Sequence, residues 1–226
     1  MAPVKKTKKP FGYGIILFPW LGLILVSPIL GTLAINKYPR NAILETWSHW
    51  LSEQRNATAV FCGDSLAAGG GHWGPRVGLG YFTTRNLAGN GYTIRQTISQ
   101  VKKANIYQPK WIIVAAGTND AFSILDERQT IEDSILDFSK LINSTQSSLI
   151  LTLPPPTRRP EVNDILMKLR KEMIRVAQSS NLQIIDSWSE FIDDEGLLKK
   201  EMTTDGVHLT DKAYEIWSQK IQIQML

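Results

Sequence analysis

Ala57-Thr-Ala-Val-Phe-Cys-Gly-Asp-Ser-Leu66 is the stretch whose reading decides the fold. Its front half, Thr58 to Phe61, is apolar and β-branched, the composition of a short buried strand. The run stops at Gly63-Asp64-Ser65-Leu66 and passes into the small residues Ala67 and Ala68. A strand that halts at a glycine and hands on a hydroxyl is how an open α/β sheet presents a nucleophile beyond its carboxyl edge. Read alone, Ser65 is equally a cap or a turn residue. What the later strands deliver decides between the two.

From Ala57 onward, strand and helix patterns alternate. Apolar runs at 57–62, 82–87, 111–115, 148–153 and 182–186 read as strands. Between them lie stripes at helical spacing: Ile94, Ile98 and Val101, then Ile131, Ile135, Phe138 and Ile142. Ile165, Leu166, Leu169, Met173 and Val176 form a third, and Ala213, Ile216, Trp217 and Ile221 a fourth. Strands alternating with amphipathic helices predict a parallel sheet covered on both faces. The stripes are core, with no call for a cofactor behind them. Pro154-Pro-Pro156 closes its strand as a stiff loop, and no repeat or composition shift marks a second domain. A length of 226 residues with 43% hydrophobic and 20% charged residues suits one globular domain with an appendage.

The appendage is the N-terminus. No charge occurs from Pro10 to Asn36, and Phe11 to Ile35 is largely Ile, Leu, Phe, Trp and Gly, longer than the roughly 20 residues that cross a bilayer as a helix. Lys5, Lys6, Lys8 and Lys9 precede it and outnumber Lys37 and Arg40, so residues 1–9 are expected in the cytoplasm and the rest outside. A cleaved signal peptide is the alternative, with Thr32-Leu-Ala34 as a weak cleavage site, and leads to a secreted or periplasmic protein. Residues 1–36 are thus read as tail and single-pass anchor, 37–56 as a juxtamembrane helix and linker, and 57–226 as the working domain. The four lysines account for the whole net charge of +4, so the basic balance belongs to the tail and gives no reason to expect a nucleic-acid partner. Cys62 is the only cysteine, which excludes an internal disulfide and a multi-cysteine zinc site.

In an open parallel sheet, chemistry collects beyond the carboxyl ends of the strands. The first end gives Ser65. The second gives Asn86-Leu-Ala-Gly-Asn-Gly91-Tyr-Thr93, whose glycines either aim backbone N–H groups at an anion or satisfy a tight left-handed turn. The third gives Gly117-Thr-Asn119-Asp120, where the Asn119 amide is an oxyanion donor or an Asx cap. The last gives Asp205-Gly-Val-His208, in which a carboxylate three residues before a histidine can hold Nδ1–H and leave Nε2 free. A surface aspartate beside a capping histidine spells the same way. Of the other histidines, His49 precedes the sheet between Glu45 and Glu53, and His72 sits in a glycine-rich loop with no acid near it. Gly69-Gly-Gly71-His-Trp-Gly74 spells a dinucleotide fingerprint. However, Pro75 follows at once, and no acid lies between Ser65 and Asn119 to hold a ribose. The serine also lacks the G-x-S-x-G elbow.

Together these four stretches resemble the GDSL/SGNH hydrolase family, named for a Ser, Gly, Asn and His carried in four ordered blocks. Gly63-Asp-Ser65-Leu66 is similar to the first block, Asn86 to Thr93 to the second, Gly117-Thr-Asn119-Asp120 to the third and Asp205-x-x-His208 to the last. The resemblance spans about residues 57–220. It implies a flavodoxin-like three-layer α/β/α fold with a five-stranded parallel sheet. It implies Ser65 as nucleophile and His208 and Asp205 as its partners. It further implies an oxyanion hole formed by Ser65, Gly91 and Asn119, and no metal or cofactor. One departure stands out: Gly69 to Gly80, usually helical in that family, holds six glycines and Pro75. That loop is expected to border the substrate pocket with His72, Trp73 and Arg76. The expected activity is hydrolysis of acyl or acetyl esters by a membrane-anchored, extracytoplasmic serine esterase, on a small ester, a lipid or an acylated glycan. An O-acyltransferase or deacetylase acting on cell-surface glycans is the alternative with the same residues, and a non-catalytic glycan- or lipid-binding module is a third reading.

Overall fold

The structure, a computed structural model, describes residues 56–226. The expected anchor at 1–36, and the linker as far as residue 55, lie outside the described residues. Among the described residues no helix is long and apolar enough to cross a membrane.

Five strands form one sheet: β1 (Ala59–Gly63), β2 (Thr84–Asn86), β3 (Trp111–Ala115), β4 (Ser148–Thr152) and β5 (Gln183–Ile185). All neighbours are parallel, in the order β2-β1-β3-β4-β5. This is the doubly wound order in which the chain reverses direction between β1 and β3, leaving a crevice beyond their carboxyl ends. The central strands β1, β3 and β4 are largely apolar because both faces are covered, and side chains alternate between them. Ala59 and Phe61 of β1, Ile113 and Ala115 of β3 and Ile150 of β4 join one core. Val60 and Cys62, Ile112 and Val114, and Leu149 and Leu151 join the other. Burial pushes the Cys62 thiol well above its ordinary pKa, as for a small core hydrophobe.

The second core is closed by α3 (Ile94–Ala104), α5 (Ile131–Ile142) and α6 (Pro160–Ser179). Each starts where local chemistry requires. Thr93 and Gln96 form a capping box on α3, Thr130 and Asp133 one on α5, and Pro160 opens α6. The first core is closed by α8 (Asp211–Gln224), which buries Ala213, Tyr214, Trp217 and Ile221, together with two short helices, α1 (Ser65–Gly69) and α2 (Trp73–Arg76). The remaining α-helices among the described residues are α4 (Thr118–Leu125) and α7 (Trp188–Phe191).

Two expectations need correction. The strand expected at 82–87 shrinks to three residues. Phe82 is exposed, and Thr83 N–H closes a turn on Gly80 O (3.2 Å), so the parallel ladder with β1 runs over Thr84–Asn86. More consequentially, Trp73 does not line a pocket. It is 1% exposed and stacks on Phe61 of β1 (centroids 4.6 Å, planes 4° apart), with Trp217 edge-on at 5.3 Å. Its Nε1–H donates to Ala67 O (2.8 Å), which satisfies the one polar atom of the buried indole. The glycines around it make this possible. A Cβ on Gly70 would stand 2.2 Å from the Trp73 ring, and one on Gly69 2.4 Å from the Tyr214 hydroxyl. The glycine-rich run is therefore a packing solution that lets aromatic rings lie against backbone. Arg76 serves the same seam: its Nε donates to Gly70 O (2.8 Å), its Nη2 pairs with Asp211 (2.8 Å), and its guanidinium lies over the Tyr214 ring. His72 meets the Tyr81 ring edge-on at 4.9 Å.

Candidate active site

Ser65 is the first residue of α1, directly beyond β1. Gly63 makes the exit possible. It adopts φ +143°, and a Cβ there would fall 1.8 Å from Ala115 O of the adjoining strand. Both backbone groups of Gly63 are held by one side chain: its N–H donates to Gln100 Oε1 (2.6 Å), and its C=O accepts from Gln100 Nε2 (3.1 Å). Gln100 comes from α3, where the sequence reading assigned it no role. The signal that could have found it is its place near Ile94, Thr97 and Val101 on the buried side of that helix.

Asp64 caps α1 by accepting from Leu66 N–H (2.9 Å) and is 1% exposed. Burial raises its pKa to about 7, with the nearby Asp120 adding to the rise and backbone hydrogen bonds opposing it. A carboxyl whose folded pKa lies above its unfolded value contributes stability below the unfolded value, and loses it as pH rises through about 7. In Asp64→Asn, which keeps an acceptor for Leu66 N–H, the melting temperature relative to the native protein is therefore expected to climb between pH 4 and pH 8. A gap that stays constant across thermal melts in that range speaks against a buried, reluctantly ionised Asp64.

His208 and Asp205 arrive from the loop before α8. Asp205 Oδ1 accepts the backbone N–H groups of Val207 (3.0 Å) and His208 (2.8 Å), and Oδ2 lies 2.7 Å from His208 Nδ1. The His208 side chain, followed by these backbone donors, holds the Asp205 pKa down to about 2 against a partly opposing burial. An ionised carboxylate can only accept, so Nδ1 carries the hydrogen, and in the neutral imidazole Nε2 presents its lone pair. That lone pair faces Ser65 Oγ at 3.0 Å, across 143 residues of chain. The structure thus brings Ser65, His208 and Asp205 into one hydrogen-bonded line at the sheet's carboxyl edge.

The turns carrying Gly91 and Asn119 are bolted to this edge. Gly89 N–H donates to Gly63 O (3.0 Å), and Asp64 N–H to Ala115 O (3.1 Å). Asn119 Nδ2 donates to Tyr92 O (3.0 Å), leaving its second amide hydrogen uncommitted. Asp120, also without an assigned role at the sequence level, accepts Ile94 N–H on Oδ2 (2.9 Å) and Gln129 Nε2 on Oδ1 (3.1 Å), so the two turns are tied twice. Its pKa is raised, by burial above all. Gly91 takes φ +75° with no atom within 4 Å of where a Cβ would stand, and it shares with Asn119 a cavity of about 440 Å³. Neither Trp73, His72 nor Arg76 is among the residues lining that cavity. Among the described residues no group of three or more His, Cys, Asp and Glu is arranged to hold a metal ion.

A family model described as GDSL-like lipase/acylhydrolase matches residues 61–216. Among solved structures, the chain is similar to the lipase/acylhydrolase from Enterococcus faecalis (23% identity over 75% of this chain and 95% of that one, TM-score 0.64). It is similar also to a GDSL-like lipase from Bacteroides thetaiotaomicron (19%, 74% and 86%, TM-score 0.61). A catalytic mutant of an acetylxylan esterase from Geobacillus stearothermophilus is a third such structure (15%, 76% and 94%, TM-score 0.62). At these identities the structural likeness is one of fold. A sequence comparison with curated proteins finds no match. The family match takes in the β1–Ser65 turn, the Gly91 and Asn119 turns and the Asp205–His208 loop alike, and on that match the chain belongs to the GDSL-like lipase/acylhydrolase family of carboxylic ester hydrolases.

Proposed function

We propose that the chain is a membrane-anchored serine esterase whose working domain faces away from the cytoplasm, and that it acts through an acyl-enzyme on Ser65. The observation that carries the chemistry is the pair of distances on His208: 3.0 Å from Nε2 to Ser65 Oγ and 2.7 Å from Nδ1 to Asp205. Ser65 Oγ attacks the ester carbonyl while His208 Nε2 takes its proton, then returns it to the departing alkoxide. Asp205, held ionised, fixes the tautomer and supports the imidazolium. The N–H groups of Ser65 and Gly91 and the Asn119 amide stabilise the oxyanion; losing one such donor typically costs about 10²–10³ in rate. Water activated by the same imidazole then releases the acid and restores Ser65. The anchor rests on the uncharged run from Pro10 to Asn36 behind four lysines.

The test is direct. The full chain, mixed with excess 4-nitrophenyl acetate, should release nitrophenol in a burst of about one equivalent per chain. Mass spectrometry of the acid-quenched protein should place one acetyl group on Ser65. Turnover with the acetyl on another residue, or turnover undiminished in Ser65→Ala, rejects the mechanism.

A further inference from the structure

The cavity that Gly91 and Asn119 open onto has an uneven chemical wall. An acyl chain needs apolar lining. Here Phe122 is the one large apolar side chain, and the Arg159 guanidinium already lies over its ring at 5.3 Å. No carboxylate lines the cavity, whereas Arg95 and Arg128 both do. Arg95 gives its Nε to Asp137 (2.7 Å), which also takes Lys140 (3.0 Å), while Asp133 and Asp120 act on Arg95 without a direct hydrogen bond to it. Arg128 pairs through one Nη with Asp126 (2.8 Å), both groups being more than half exposed and so only loosely committed. The Gln96 oxygen is spent on the Thr93 N–H (2.9 Å), which leaves its amide hydrogens as donors. The wall is rich in donors and poor in acceptors.

Resting on the esterase reading above, we propose that this cavity is a subsite for an anionic group, a carboxylate or a phosphate, carried by the ester beside its scissile bond. Guanidinium groups bind such oxyanions with two parallel hydrogen bonds, and the match is lost when the ligand is neutral. The subsite accounts for two arginines on a cavity wall that itself carries no carboxylate, each held from outside it by a single-point ion pair. It selects among esters by charge, leaving bond cleavage to Ser65 and His208.

The experiment uses the full chain and matched esters. 4-Acetoxybenzoate and 4-acetoxyphenyl phosphate are compared with neutral 4-acetoxybenzamide, and the 4-nitrophenyl monoester of succinate with 4-nitrophenyl butyrate. These arms separate carboxylate from phosphate and the alcohol side from the acyl side. At least one charged ester is expected to exceed its neutral partner about tenfold in kcat/KM, mainly through KM. That preference should shrink as salt is raised. Arg95→Gln and Arg128→Gln should each lower the charged-to-neutral ratio severalfold, with Arg128→Lys restoring part of it. Ratios near one in every arm, or ratios indifferent to both arginines, overturn the subsite while hydrolysis of the neutral esters leaves the esterase reading standing. Failure to cleave any of the five esters overturns both.

Discussion

Ser65→Ala is expected to lower kcat/KM for 4-nitrophenyl acetate by about 10⁴ or more, His208→Ala to do the same, and the double variant to be no worse than either. The non-additivity is the informative part. The hydroxyl and the imidazole share one proton across the 3.0 Å contact, so once either is gone the other has nothing left to do. Effects that multiplied would mean two independent contributions, and the Ser65–His208 unit would have to be abandoned. Folding does not confuse the measurement, because among the described residues the Ser65 side chain hydrogen-bonds to His208 alone. Matching melting temperatures for native protein and Ser65→Ala confirm it.

Trp73→Ala is expected to cost about 3–5 kcal/mol of stability, a fall in melting temperature on the order of 10 °C. Three causes act together. A large ring is removed from between Phe61, Tyr214 and Trp217. The Ala67 carbonyl loses the indole donor, and the space left lies against backbone at Gly70, which cannot collapse far to fill it. Below its melting temperature the variant should keep the native ranking of ester substrates, since the indole is sealed from solvent. A variant as stable as the native protein but altered in its choice of ester would restore the pocket role expected from the sequence. The measurement therefore decides between two readings of the same glycine-rich segment.

Much of the architecture was legible because it is written locally. Trp111 to Ala115 falls on β3 to the residue, and the Ile94–Val101 and Ala213–Ile221 stripes lie on α3 and α8. Asp205-Gly-Val-His208 was readable because a three-residue spacing suffices for the carboxylate to meet Nδ1. Gln100 and Asp120 were not read as parts of the site. A buried amide clamping Gly63 looks in sequence like any polar residue of an amphipathic helix, and Asp120 looks like a helix-start acid. Trp73 was misplaced for a related reason. Glycine beside an aromatic residue spells both an exposed binding loop and a close-packed core, and only the Phe61 ring 4.6 Å away separates them.

By itself the sequence determined the succession of strands and helices and the chemical groups at the strand ends, because side-chain periodicity and turn chemistry act over a few residues. The tertiary structure decided which strand lies beside which, and therefore that β1 and β3 are neighbours at the crevice. It also decided that the Ser65 oxygen and the His208 ring meet across 143 residues and that Trp73 faces inward. Those outcomes follow from long-range register and from how two cores fill on either side of one sheet, quantities set by the packing of the whole domain.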